Sequence, residues 1–153
     1  MPSTSSLRNQ LIADYPDLQF GTGELNHWSS TEQTVYYNPD TIDDATLLHE
    51  VSHGLLQHTD YDKDIVLIDM EREAWAYAVQ TLGPKYAVTI SDDTVQDSLD
   101  SYRDWLHARS TCPNCSSTGV QIQSNEYKCI ACQTIWRVND ARICALRRYI
   151  EPA

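Results

Sequence analysis

Hydrophobic and polar positions alternate along the chain in ways that set out its elements in order. Between Ser6 and Asp14, Leu7, Leu11 and Ile12 fall at helical spacing, and Tyr15-Pro16 ends that helix because the residue before proline avoids the helical region. From Leu18 to Asn38 the chain is rich in Thr, Tyr, Trp and Val and is broken by Gly21, Gly23 and the Ser29-Ser30-Thr31 run. This predicts a twisted hairpin whose last strand lies near Gln33 to Tyr37, before Asn38-Pro39. Asp40 to Asp44 supply capping side chains and negative charge at the start of a helix expected over Ala45 to Gln57. A polar connection, Asp60 to Asp64, leads to a second helix from Ile65 to Leu82 that should stop at Gly83-Pro84. Ser91 caps a third, in which Val95, Leu99, Tyr102 and Leu106 share a face as far as Arg109. The remainder reads as short strands in a cysteine-rich module, closed by a helix over residues 139–149.

Composition adds a division to this linear order. The 153 residues are 41% hydrophobic and 22% charged, enough for a modest core. Acidic residues number 22 against 11 basic, a balance that disfavours a protein coating nucleic acid or an anionic membrane. Residues 1–100 hold 4 basic and 18 acidic side chains, net −14, whereas residues 101–153 hold 7 and 4, net +3. All five cysteines lie in the second part. The expected organisation is an α+β domain over residues 1–110 followed by a small module over 111–153. No stretch has the apolar length of a membrane helix and the start lacks a secretory pattern, so the expected location is the cytoplasm, where clustered cysteines serve as metal ligands rather than disulfides.

His49-Glu50-Val51-Ser52-His53 is an HExxH motif. Positions four apart stack on one helix face, so both imidazoles can reach one metal while Glu50 projects beside it. A catalytic zinc takes three protein ligands and a water, from which a neighbouring carboxylate removes a proton. A histidine ten places after His49 would complete a metzincin site, but that place is Thr59, with His58 one short. In the second helix Leu67, Ala74, Trp75, Ala78 and Leu82 form the apolar stripe, and Glu71 lies on it, three before Ala74 and four before Trp75. A core-facing carboxylate needs a partner or a metal, which makes Glu71 the candidate third ligand. Glu73, with Asp69 and Gln80, belongs to the solvated side.

Leu47-Leu48-His49-Glu50-Val51-Ser52-His53 followed by Glu71-Arg72-Glu73-Ala74-Trp75 resembles the gluzincin arrangement of HExxH and a downstream ExxA helix. It is most similar to the small ImmA/IrrE-type metallopeptidases and minigluzincins, in which a strand ending near Asn-Pro often precedes the HExxH helix, as Thr34-Val35-Tyr36-Tyr37-Asn38-Pro39 does here. The resemblance covers residues 30–85. It implies a zincin-like core, a small sheet packed on the two motif helices, with zinc on His49, His53 and Glu71 and with Glu50 as general base and proton shuttle for hydrolysis of a peptide bond. Those families usually carry Asp or Asn after the Ala of ExxA to orient a zinc-bound histidine. Trp75 stands there instead, so another group, with Asp69 a candidate, should take that role. Tyr86, Tyr102, Arg103 and His107 are the candidates to stabilise an oxyanion.

Cys112-Pro113-Asn114-Cys115 and Cys129-Ile130-Ala131-Cys132, thirteen residues apart, form two CxxC knuckles. Four thiolates so spaced can close on one zinc as a structural zinc ribbon, giving two zincs per chain in all. Cys144 is left over and is expected to be buried beside Leu146. Arg137, Arg142, Arg147 and Arg148 with Trp136 and Tyr149 offer either a basic-aromatic surface, for nucleic acid or an acidic partner, or an intramolecular dock. The leading expectation is a zinc metalloendopeptidase acting on a protein or peptide. The alternatives are a SprT-like protease acting on DNA-associated proteins, disfavoured by the acidic balance and the glutamate ligand, and a non-catalytic zinc-ribbon adaptor or regulator that keeps a zincin-like fold.

Overall fold

A computed structural model describes residues 4–140 and 146–152. The chain is mixed α and β, in two compact units: Met1–Asp60 with Met70–Val95, and Tyr61–Asp69 with Gln96–Ala153. The expected boundary at residue 110 falls inside the second unit, at the end of a helix that packs with the cysteine module.

The first unit begins with α1 (Thr4–Asp14), whose Leu7 and Leu11 are fully buried. Three short strands follow, β1 (Gln19–Thr22), β2 (His27–Ser29) and β3 (Thr34–Tyr37). They form one sheet in the order β1-β3-β2. The predicted hairpin exists as β2 and β3, antiparallel with Trp28 opposite Val35. A third strand extends it: β1 runs parallel to β3, with Phe20 opposite Val35. Strand composition marks where the chain is extended and carries no information on direction, which is set here by β3 inserting between its two predecessors. Val35 and Tyr37 of β3 pack in a core with Leu47, Leu48 and Val51.

Helix α2 (Asp44–Leu55) starts at Asp43, whose carboxylate accepts from the Thr46 backbone N–H at 2.7 Å, as a short acceptor at the N-cap should. Its inward face carries Leu47, Leu48 and Val51. Helix α3 (Asp64–Tyr77) continues through a π-helical turn, Ala78–Leu82, into a single turn α4 (Gly83–Lys85). The helix therefore runs past the expected stop at Gly83-Pro84. Gly83 is helical, with φ −53°, and the chain leaves at Ala87, φ 57°, after Val88 N–H has bonded the Gly83 carbonyl at 2.8 Å. This is a Schellman exit with alanine in the left-handed position. Gly83 is needed for the close approach: a Cβ there would lie 2.7 Å from the Val88 carbonyl oxygen.

The second unit contains α5 (Asp92–Ser110) from Gln96 onward and a four-stranded antiparallel meander, β4 (Gly119–Gln123), β5 (Glu126–Cys129), β6 (Ile135–Val138) and β7 (Arg148–Ile150). Strand β7 lies where a closing helix is expected; it pairs with β6, Trp136 opposite Ile150. Residues 141–145, with Arg142 and Cys144, lie outside the described residues. Trp136, open in the sequence to either an exposed surface or an internal dock, is fully buried, stacks on Tyr127 and donates its indole N–H to the Arg109 carbonyl at 2.9 Å. Arg109 is itself buried. Its Nε donates to Asp64 Oδ2 at 2.8 Å and its other nitrogens to Asn125 and to the Asn139 carbonyl. The Tyr127 hydroxyl donates to the same Asp64 oxygen. This pair fastens α5 and the start of α3 to the sheet within one unit. Among the described residues no helix is long and apolar enough to cross a membrane.

Both side chains of the Asp64–Arg109 pair are 2% exposed, so removing one partner leaves the other charged and unsolvated. Asp64→Ala is expected to destabilise the protein by about 3–5 kcal/mol. Thermal unfolding checks this, and an unchanged melting temperature contradicts it.

Candidate metal centres

The HExxH segment occupies the middle of α2, and helical spacing places His49 and His53 one turn apart on its buried side. Glu71 comes from α3. The three residues are 5%, 7% and 5% exposed, and their ligand atoms all lie within 4.8 Å of one another. His49 Nε2 and His53 Nε2 are 3.2 Å apart. Glu71 Oε2 lies 2.8 Å from the first and Oε1 lies 3.2 Å from the second. A tetrahedral zinc with nitrogen ligands at about 2.0–2.1 Å would hold two such nitrogens about 3.3 Å apart. The short approach of Glu71 Oε2 to His49 lacks hydrogen-bond alignment, and that buried oxygen has no hydrogen-bond partner. Two imidazole nitrogens and a carboxylate directed at one point, with an orphaned oxygen among them, fit a divalent cation.

The charge states fit as well. Burial lowers the pKa of His49 against the opposing pull of Glu71, keeping the ring neutral. Burial would raise the carboxyl of Glu71, but its contacts with His49 and His53 outweigh this and hold it well below the usual range. Neutral imidazole and ionised carboxylate are the forms that ligate. Glu50 sits beside them, its Oε1 3.9 Å from His49 Nε2. Its pKa is raised well above the ordinary value, by burial first and then by the negative charge of Glu71, while the backbone N–H of Trp28 on β2 opposes the rise. Strand β2 can come this close because Gly54 has no side chain: a Cβ there would stand 3.0 Å from the Trp28 ring.

Trp75 occupies the position where an acidic or amide side chain is expected to orient a histidine. It stacks on the His49 ring, with centroids 4.1 Å apart and planes 19° from parallel. The ring's plane is thus fixed by stacking, and His49 Nδ1 has no hydrogen-bond partner, so Asp69 does not serve it. Of the candidate oxyanion groups, Tyr86 donates its hydroxyl to Asp14 at 2.6 Å, and Arg103 pairs with Asp100 at 2.8 Å. Tyr102 and His107 belong with Arg103 to the second unit.

Two residues that sequence reasoning set aside stand beside the site. His58 Nδ1 is 2.8 Å from His53 Nδ1, and His58 Nε2 is 3.1 Å from Glu73 Oε2. The C-terminus of α2 brings His58 back. Gln57 is left-handed, φ 56°, the His58 N–H bonds the His53 carbonyl at 3.0 Å, and the Gln57 N–H bonds the Gly54 carbonyl at 3.1 Å. These are the two bonds of a Schellman motif without its usual glycine, so the sequence carries no clear signal for the turn.

The four cysteines cluster in the second unit. Cys112 Sγ lies 3.7 Å from Cys132 Sγ, and Cys115 Sγ lies 3.5 Å from Cys129 Sγ. Disulfide sulfurs would be about 2.05 Å apart, whereas thiolates at about 2.3 Å from a tetrahedral zinc are about 3.8 Å apart. The knuckles repeat each other. Ser116 N–H bonds the Cys112 carbonyl and Gln133 N–H the Cys129 carbonyl, with Ser116 and Gln133 both left-handed at φ 67° and 68°. Backbone N–H groups of Asn114 and Ala131 point at the sulfurs of Cys112 and Cys129 at 3.4 and 3.3 Å. Hydrogen bonding from the Thr134 hydroxyl brings Cys132 down to about 6. Four sulfurs so placed are compatible with a single tetrahedral metal ion. Arg137, nearby in sequence, pairs with Glu151 at 3.1 Å, and Arg148 donates to the Thr111 carbonyl at 2.6 Å, so both are engaged within this unit.

Compared with protein-family models, curated proteins and solved structures, the chain matches none.

Binding energy at a closed sulfur site is folding energy. If the sulfurs hold a metal, Cys129→Ser is expected to release it and to lower the stability of the second unit. Metal content and melting together check this, and a melting curve superimposable on wild type contradicts it.

Proposed function

We propose that this protein is a zinc-dependent metallopeptidase of gluzincin type, with His49, His53 and Glu71 holding the catalytic zinc and the four cysteines a structural one. The observation that carries the reading is the convergence of two imidazole nitrogens 3.2 Å apart and the Glu71 carboxylate, with the buried carboxyl of Glu50 alongside. A zinc held there would supply Lewis acidity, polarising a scissile carbonyl and acidifying a water.

The rest falls to the chain. Glu50 accepts the proton of the attacking water on its carboxylate and returns it to the nitrogen of the departing amine, which is why one residue serves as base and then acid. Its raised pKa favours the first half, since a stronger base takes the proton more readily. Trp28 holds the carboxylate through its backbone N–H, which limits the geometries Glu50 can adopt. Trp75 fixes the plane of the His49 ring by stacking. The substrate class is a protein or peptide.

Glu50→Gln keeps the size and hydrogen-bonding reach of the side chain but cannot take a proton. It is expected to lower kcat/KM for peptide hydrolysis by at least about 10²-fold while leaving zinc content and fold intact. Casein or a quenched fluorescent peptide pool, cleaved by the zinc-loaded wild type, provides the assay. Equal cleavage by the variant contradicts the role given to Glu50. Absence of cleavage by a wild type that holds both zincs favours a non-catalytic adaptor.

A further inference from the structure

We propose that His58 and Glu73 form a positioning relay for the metal ligand His53, an inference that rests on the metal site described above and deepens it. One continuous line of contacts carries it: His53 Nε2 at the ligand cluster, His53 Nδ1 against His58 Nδ1 at 2.8 Å, and His58 Nε2 against Glu73 Oε2 at 3.1 Å.

The proton inventory along that line has one consistent solution. A ligating nitrogen needs a free lone pair, so a His53 that binds through Nε2 keeps its proton on Nδ1. That N–H faces His58 Nδ1, which must then accept, placing the proton of His58 on Nε2. The Nε2–H in turn faces a carboxylate oxygen of Glu73, which can only accept. Each tautomer follows from its neighbour, and the carboxylate at the far end selects the tautomer that makes His53 a ligand. Were His58 protonated on Nδ1 instead, two N–H groups would oppose each other at 2.8 Å.

The relay is held from outside its own line. The backbone of His58 is fixed by the Schellman turn, its N–H on the His53 carbonyl, and its own carbonyl accepts from the Trp28 indole N–H at 3.0 Å. The His58 side chain is 10% exposed, while that of Glu73 is 64% exposed. Glu73 therefore contributes direction more than charge: its interaction is screened by water, and what matters is an acceptor at that position. The two ligand histidines are thus held differently, His49 by stacking on Trp75 with Nδ1 unpartnered and His53 by a directed chain of hydrogen bonds.

The test uses the full chain, stripped of metal and titrated with cobalt(II). Thiolate charge-transfer bands report the cysteine site, and visible absorption without those bands reports the histidine–glutamate site. His58→Leu is expected to weaken cobalt at the histidine–glutamate site by about 10- to 100-fold and to leave the cysteine site unchanged. Glu73→Ala should weaken the same site less, and Glu73→Gln, which keeps an acceptor oxygen, should restore most of the loss. Because Glu73 acts only through His58, adding Glu73→Ala to His58→Leu should cost nothing more. Independent, additive losses in the double variant overturn the relay, as does a Glu73→Gln that is no better than Glu73→Ala. A wild type that takes cobalt only at its sulfurs overturns the metal site itself and the relay with it, an outcome distinct from a site that binds normally in all variants, which overturns the relay alone.

Discussion

Two imidazoles and a carboxylate, all more than nine-tenths buried, share a single small volume between α2 and α3, and that crowding constrains every side chain packed against it. An ionised carboxylate withdrawn from water costs several kcal/mol unless its charge is met. Neutral imidazoles meet it only in part, and one Glu71 oxygen stays without a hydrogen bond. A divalent cation would resolve the conflict, since it would supply the positive charge and use the lone pairs that otherwise face each other. The surroundings then read as supports: Gly54 lets β2 approach, Trp28 reaches Glu50 and His58 from that strand, and Trp75 stacks on His49.

Much of this site was legible in the sequence, and the reasons are geometric. A helix repeats every 3.6 residues, so HExxH puts two histidines on one face. The same arithmetic separates Glu71, between the apolar positions Leu67 and Ala74, from Glu73. The two CxxC knuckles are equally local, because each is a short turn whose backbone geometry comes from its own few residues. What stayed hidden depends on contacts between distant segments or on turns without their usual residues. His58 joins the site through a Schellman exit made by Gln57 rather than glycine, and Glu73 joins it only because His58 has turned back. The parallel pairing of β1, the pairing of β7 with β6 and the burial of Arg109 against Asp64 are similarly non-local.

Helix continuation past Gly83 shows why local rules lose to packing. Gly-Pro is a fair stop signal, but glycine is also the only residue that admits a backbone carbonyl at 2.7 Å from where a Cβ would stand, and proline is well placed in the first turn of a new helix. Both residues are used here to carry the chain through a π turn and out at Ala87. The second unit makes a related point about charge. Its net positive balance left open an outward-facing surface or an intramolecular dock; Arg109 is interior and holds helix and sheet together, and Trp136 is buried in the core of the unit.

The central claim, that His49, His53 and Glu71 bind zinc, is tested most directly by anomalous diffraction from crystals of the protein purified without chelator, recorded on both sides of the zinc absorption edge. The account predicts two peaks, one among the four sulfurs and one within about 2.0–2.2 Å of His49 Nε2, His53 Nε2 and a Glu71 oxygen. A single peak at the sulfurs, with the histidines and Glu71 well ordered around nothing but water, would contradict it.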